Sequence, residues 1–129
     1  MTFEKSNTTF SNSNFTHIFG LSKGSVIWQS KGSTLQMINC SFIENASPFG
    51  GIASVAYSNA WLILKQCQIF NNFALESGVI AVDLEGSFEI QDSEIRDNYA
   101  YSNPISKILI SSTENSISNS SLINNILLD

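Results

Sequence analysis

Apolar and polar positions alternate along most of the chain, and the alternation returns at a fixed interval. Around Cys40 the order is Leu35, Met37, Asn39, Cys40, Phe42, Asn45; around Cys67 it is Leu62, Leu64, Gln66, Cys67, Ile69, Asn72. Around Ser93 it is Phe88, Ile90, Asp92, Ser93, Ile95, Asn98, and around Ser120 it is Asn115, Ile117, Asn119, Ser120, Leu122, Asn125. A fainter copy surrounds Ser13, with Phe10, Asn12, Phe15 and Ile18. The small residue falls at 13, 40, 67, 93 and 120, in steps of 27, 27, 26 and 27. A period of this length marks a solenoid or array.

Each copy has a second half, opened by Gly24, Gly51, Gly78 and finally Pro104. Val26 and Trp28, then Ala53, Val55 and Tyr57, then Ile80, Val82 and Leu84, then Ile108 and Ile110 fall at every second position. A period of two predicts strands with one face buried. Lys31-Gly32-Ser33, Ser58-Asn59 and Glu85-Gly86-Ser87 supply turns between them. If one repeat is one coil, the columns Phe10/Met37/Leu64/Ile90/Ile117, Phe15/Phe42/Ile69/Ile95/Leu122 and Trp28/Val55/Val82/Ile108 are apolar throughout. Such stacks bury a coil only against its neighbours, as a solenoid requires. The prediction is an all-β chain, a right-handed parallel β-helix of about five coils over residues 1–129, one domain and a piece of a longer repeat protein.

Two polar columns accompany the apolar ones. Asn45, Asn72, Asn98 and Asn125 form the first, with Ile18 breaking it, and stacked amides there can bond from coil to coil. Asn12, Asn39, Gln66, Asp92 and Asn119 form the second, where asparagine tolerates a left-handed backbone. Asn39, Asn45, Asn72, Asn98, Asn119 and Asn125 are thus read as structural ladder residues.

The tetrapeptides Phe42-Ile43-Glu44-Asn45 and Gly50-Gly51-Ile52-Ala53 resemble the two short motifs of the chlamydial polymorphic outer-membrane proteins. Later coils keep the first as Ile69-Phe70-Asn71-Asn72, while the glycine pair decays to Ser77-Gly78. More broadly the chain resembles pectin-lyase-type β-helix repeats. The resemblance implies a β-helical surface module and, from the chlamydial proteins, an adhesive role; it specifies coils and no activity.

Composition narrows the function. Charged residues make up 13% of the chain, against about 25% in ordinary domains. The net charge is −5 and the six basic residues are scattered, so no nucleic-acid footprint is expected. No apolar run approaches the ~18 residues of a membrane span. Nor do residues 1–10 read as a secretory signal.

Chemistry is sparse. Glycoside cleavage needs two converging carboxylates, and the acidic residues concentrate in one coil, with Asp83 and Glu85 nearest to sharing a site. No Asp-Asp pair, His-Gly or Arg-x-Lys accompanies them, and the lone His17 has no ligand partner at metal spacing. Neither catalytic, cofactor nor metal residues are assigned. Cys40 and Cys67 share a column, where small-residue stacking is favoured and a disulfide is open to them in an oxidising compartment. Sequons at Asn7 and Asn14 are the glycosylation candidates, since those at Asn39, Asn45 and Asn119 fall in ladder columns.

Outward apolar positions predict a covered face. Ile27, Ile52, Val79, Ile105 and Leu109 are read as that candidate partner face, and Trp61 and Phe70 as aromatic platforms for a glycan. The expected function is a non-catalytic structural or adhesive module at the cell surface or outside the cell, touching protein, glycan, further coils or other copies. A filament subunit stacking through open coil ends and the remnant of a carbohydrate-active β-helix enzyme are the alternatives.

Overall fold

In the computed structural model, which describes residues 1–108 and 115–128, every strand is short and no helix occurs among the described residues. The first turn carries β1 (Thr2–Phe3), β2 (Asn7–Ser11) and β3 (Asn14–Thr16). The second carries β4 (Ile27–Gln29), β5 (Thr34–Ile38), β6 (Ser41–Ile43) and β7 (Ala46–Phe49). The third carries β8 (Ala53–Ala56), β9 (Trp61–Lys65), β10 (Gln68–Phe70) and β11 (Phe73–Glu76). The fourth carries β12 (Ile80–Asp83), β13 (Ser87–Gln91), β14 (Glu94–Arg96) and β15 (Tyr99–Ser102). Then come β16 (Ser106–Ile108), β17 (Asn115–Ser118), β18 (Ser121–Ile123) and β19 (Ile126–Leu127).

These strands stack into four sheets, ordered β1-β4-β8-β12-β16, β2-β5-β9-β13-β17, β3-β6-β10-β14-β18 and β7-β11-β15-β19. Every strand pairing is parallel. The protein is a parallel β-solenoid of about four turns, one fewer than the five copies suggested, because five stacked strands enclose four complete turns.

Two of the three apolar columns stack as the repeat predicts. Phe10, Met37, Leu64, Ile90 and Ile117 are register partners in the second sheet, and Phe15, Phe42, Ile69, Ile95 and Leu122 in the third. The third column differs in β4. Gln29, not Trp28, pairs with Val55, and Ile27 pairs with Ala53. Gln29 is buried there and Trp28 is 40% exposed. The step between these coils is 26 residues, and a one-residue slip turns every side chain to the opposite face. Both Gly24 and Gly50 take positive φ, so Gly24 stacks on Gly50 and not on Gly51.

A second departure recurs in each coil. The carbonyl of Ile52 accepts from both Val26 and Ile27, that of Val79 from Ile52 and Ala53, and that of Ile105 from Val79 and Ile80. One carbonyl facing two successive N–H groups is a β-bulge, which lets neighbouring residues face the same side. Ile27, Ile52 and Val79 therefore lie in the interior, fully buried, and are not an outward face. Of the remaining two positions, Ile105 is half-buried and Leu109 falls outside the described residues.

Corners are made by left-handed residues. Asn12, Asn39, Gln66, Asp92 and Asn119 have φ between 47° and 53°, and His17, Glu44, Asn71, Asp97 and Asn124 between 49° and 56°. Asparagine and aspartate visit this region most readily among residues with a Cβ. The first column is solvent-exposed, with one side-chain bond along it, from Asn39 Nδ2 to Asn12 Oδ1 at 2.7 Å.

The residue after the second corner builds a buried hydrogen-bonded stack. Asn72 Nδ2 donates to the carbonyl of Phe42 at 3.0 Å and to Asn98 Oδ1 at 2.9 Å. Asn72 Oδ1 accepts from the Asn45 backbone N–H and from Asn45 Nδ2, both at 3.0 Å. The same set links Asn98 to Asn125 and Ile69, and Asn45 to Phe15. At the amino end Ile18 contributes only its backbone N–H to Asn45 Oδ1. Each inner amide thereby satisfies both its donors and its acceptor inside the protein, which removes the desolvation cost of burying it.

Candidate functional site

The corner between the second and third sheets opens into a surface trough of about 490 Å³. One wall is the left-handed column Asn12, Asn39 and Gln66, which ends β2, β5 and β9. The other is Asn14, Ser41 and Gln68, which opens β3, β6 and β10. Two rows arise because each corner takes one residue and the side chain two positions on again points outward. Ser41 Oγ donates to Asn14 Oδ1 at 2.8 Å, so the walls are braced along the solenoid axis. Carboxamides and the Ser41 hydroxyl, each able to donate and accept, line it together with Ile43, and these walls carry no carboxylate or amine. In the following coil the same columns continue as Asp92 and Glu94.

Beneath the trough runs the small-residue column. Cys40 and Cys67 are free and buried, and Ser93 Oγ accepts from the Cys67 N–H at 3.0 Å. Burial pushes the Cys67 thiol up from its ordinary 9.0 to about 11, against the lowering effect of the backbone hydrogen bond at Cys40. Because the folded value is the raised one, the associated stability is complete below about pH 9 and is lost as pH climbs towards 11. Chemical denaturation followed between pH 7 and pH 11 is expected to show that decline, absent in Cys67→Ser; an identical decline in the variant would assign it elsewhere.

The remaining candidates are dispersed. Trp61 opens β9 and is 37% exposed, whereas Phe70 closes β10 and is 8% exposed. The Arg96 guanidinium lies 3.9 Å from the Phe70 ring centroid and covers it. Phe70 is therefore no open platform, and the two aromatics sit on different sheets. Asn7 and Asn14 are exposed, while Asn45 is fully buried and out of reach of a glycan in the folded chain.

Ionisable groups pair both across coils and within one. His17, which lacks an acidic neighbour in sequence, meets Glu44 one coil on at 2.5 Å. Asp83 meets Lys23 at 3.7 Å, and Arg96 meets Glu94 and Asp97 at 3.2 and 2.9 Å. Among the described residues no three of His, Cys, Asp and Glu gather as metal ligands would. Also among the described residues, no helix is long and apolar enough to cross a membrane.

The trough itself escaped sequence reasoning, although its signal was present. Polar residues at 14, 41 and 68 keep the repeat period beside the asparagine column. Set against known proteins, the chain matches no family model, no curated protein and no solved structure.

Proposed function

We propose that the chain is a non-catalytic recognition module at the cell surface or outside the cell, whose amide-lined trough binds a neutral, hydroxyl-rich glycan laid along the solenoid axis. The observation that carries this reading is the pair of carboxamide and hydroxyl rows flanking one trough, Asn12, Asn39 and Gln66 against Asn14, Ser41 and Gln68. Successive coils repeat every ~4.8 Å, so an extended chain of hydroxyls meets equivalent donors and acceptors at each rung. The walls rest on corner residues fixed by parallel pairing on both sides, which lowers the ordering cost of binding. A surface location accords with the resemblance to chlamydial adhesin repeats and pectin-lyase-type coils.

The test is a nuclear magnetic resonance titration of the 129-residue chain with a panel of neutral oligosaccharides. A binding glycan is expected to shift the side-chain amide signals of Asn14, Asn39, Gln66 and Gln68. Gln68→Ala should weaken that binding about tenfold, the worth of one well-made hydrogen bond, without lowering the melting temperature. Saturating glycans that leave those four amides unmoved, or shifts centred on Trp61, would refute the trough as the binding site.

A further inference from the structure

Independently of the trough, the fourth sheet carries an apolar outer face. In β7, β11 and β15 the second residue, Ser47, Ala74 or Ala100, is buried, so the residues flanking it point outward. They form two columns, Ala46, Phe73 and Tyr99, and Pro48, Leu75 and Tyr101. Leu75 and Tyr101 are 51% and 54% exposed, and the Phe73 and Tyr101 rings meet edge to face with centroids 6.1 Å apart.

All three strands lie between neighbouring coils, with Phe19 bridging Ala46 on one side and β19 pairing β15 on the other. The exposure is therefore lateral. With both edges of each strand occupied, a partner reaches this sheet by packing on its face and not by adding a strand. No charged residue stands in either column. Outward positions of the second sheet, by contrast, hold Lys65 and Glu89, and those of the third hold Glu94 and Arg96. An uncharged apolar face set among such polar ones marks an interaction surface.

We propose that the same face of a second copy covers it, about a two-fold axis running along β11, so that the two solenoids lie antiparallel. Side-chain size rises along the solenoid axis, from Ala46 and Pro48 in the second turn to Tyr99 and Tyr101 in the fourth. Reversal about β11 sets the partner's Tyr99 over Ala46 and the partner's Tyr101 over Pro48, large against small at both ends. Phe73 and Leu75 meet their own counterparts on the axis. A face complementary to itself is what an isologous contact requires, and two sheets packed in this way stand ~10 Å apart.

Charge selects the same arrangement. Residues 76–97 hold seven acidic side chains and one basic, whereas residues 1–31 hold three basic and one acidic. A parallel pair would set the two acidic fourth turns side by side. The antiparallel pair separates them and moves each towards the basic part of the other copy, which opposite charge favours.

Sedimentation velocity on the 129-residue chain tests the contact. The parent is expected to pass from 14.2 kDa to twice that mass as its concentration rises. Leu75→Lys, which places two ammonium groups on the axis, should weaken the dimer about thirtyfold, the loss of one central anchor. The exposed site should leave the melting temperature of the monomer unchanged. Pro48→Lys and Tyr101→Glu should each weaken the dimer too. Combined in one chain they face each other across the antiparallel contact and should restore it. A parent that stays monomeric at hundreds of micromolar, a dimer indifferent to Leu75→Lys, or a double variant no better than its singles overturns the proposal. So does a neutral oligosaccharide that shifts the Tyr99 and Tyr101 ring resonances of a monomeric parent, which would assign the face to a glycan.

Discussion

Asn72→Asp is expected to destabilise the folded chain by about 3–5 kcal/mol at neutral pH, and by much less near pH 3. The substitution keeps shape and removes only the amide protons. An ionised carboxylate would set an oxygen against the Phe42 carbonyl and Asn98 Oδ1, two acceptors now 3.0 and 2.9 Å from Asn72 Nδ2. The site is fully buried, so no water relieves the repulsion. Protonation restores one donor. The folded carboxyl is therefore held above the ~3.9 of the unfolded chain. A raised folded value places the stabilising form below the unfolded value, and stability relative to the parent falls as pH rises through the folded one. Asn72→Leu should lose a similar amount with no such pH dependence, since it can neither donate nor ionise. Asn125→Leu should cost less, because Asn125 is the outermost rung and only half-buried. Urea titrations of the three variants and the parent at pH 3 and pH 7 decide the matter. Equal destabilisation in all three variants and at both pH values would mean that the amides contribute packing alone.

That pH contrast depends on a column visible in the spacing of the asparagines. The same is true of Met37, Leu64 and Ile90, whose 26- and 27-residue steps translate directly into register because strict alternation flanks them on both sides. Legibility fails where alternation does. The strands Ala46–Phe49, Phe73–Glu76 and Tyr99–Ser102 give the second, third and fourth turns a fourth side, yet Ala-Ser-Pro-Phe has no period of two and includes a proline that lacks an N–H. Ile52 and Val79 look outward only if alternation runs unbroken into Ala53 and Ile80. The bulge that breaks it is a backbone event, with no residue type reserved for it. Trp28 is misplaced by one position because glycine recurs as a pair at 50 and 51, and sequence alone does not say which member stacks on Gly24. The trough belongs to a different class. Its rows keep the repeat period, but a polar residue on an outward face carries no mark that separates a binding wall from ordinary solvated surface.

Val55→Asp should abolish cooperative folding. Val55 is fully buried in the column that holds Gln29 and Val82, and it packs within the single apolar core. A buried, unpaired carboxylate costs several kcal/mol, against a total stability of about 5–15 kcal/mol for a domain. In a solenoid each turn is held by its neighbours, so a failure in the third turn uncouples the coils on either side. Val55→Ala, which removes two methyl groups and adds no charge, should cost only about 1–3 kcal/mol. Thr9→Asp, on the exposed side of β2, should change stability by no more than about 0.5 kcal/mol. Circular-dichroism melts of the three variants give the comparison, and a parent-like melt for Val55→Asp would remove Val55 from the interior. Gln29 shows why polarity alone is not the issue. It survives in this column because Nε2 donates to the carbonyls of Ser33 and Trp61, each at 2.7 Å. A carboxylate brings acceptors only, so at position 55 it could make no donor-to-carbonyl bond of the kind that holds the amide at position 29.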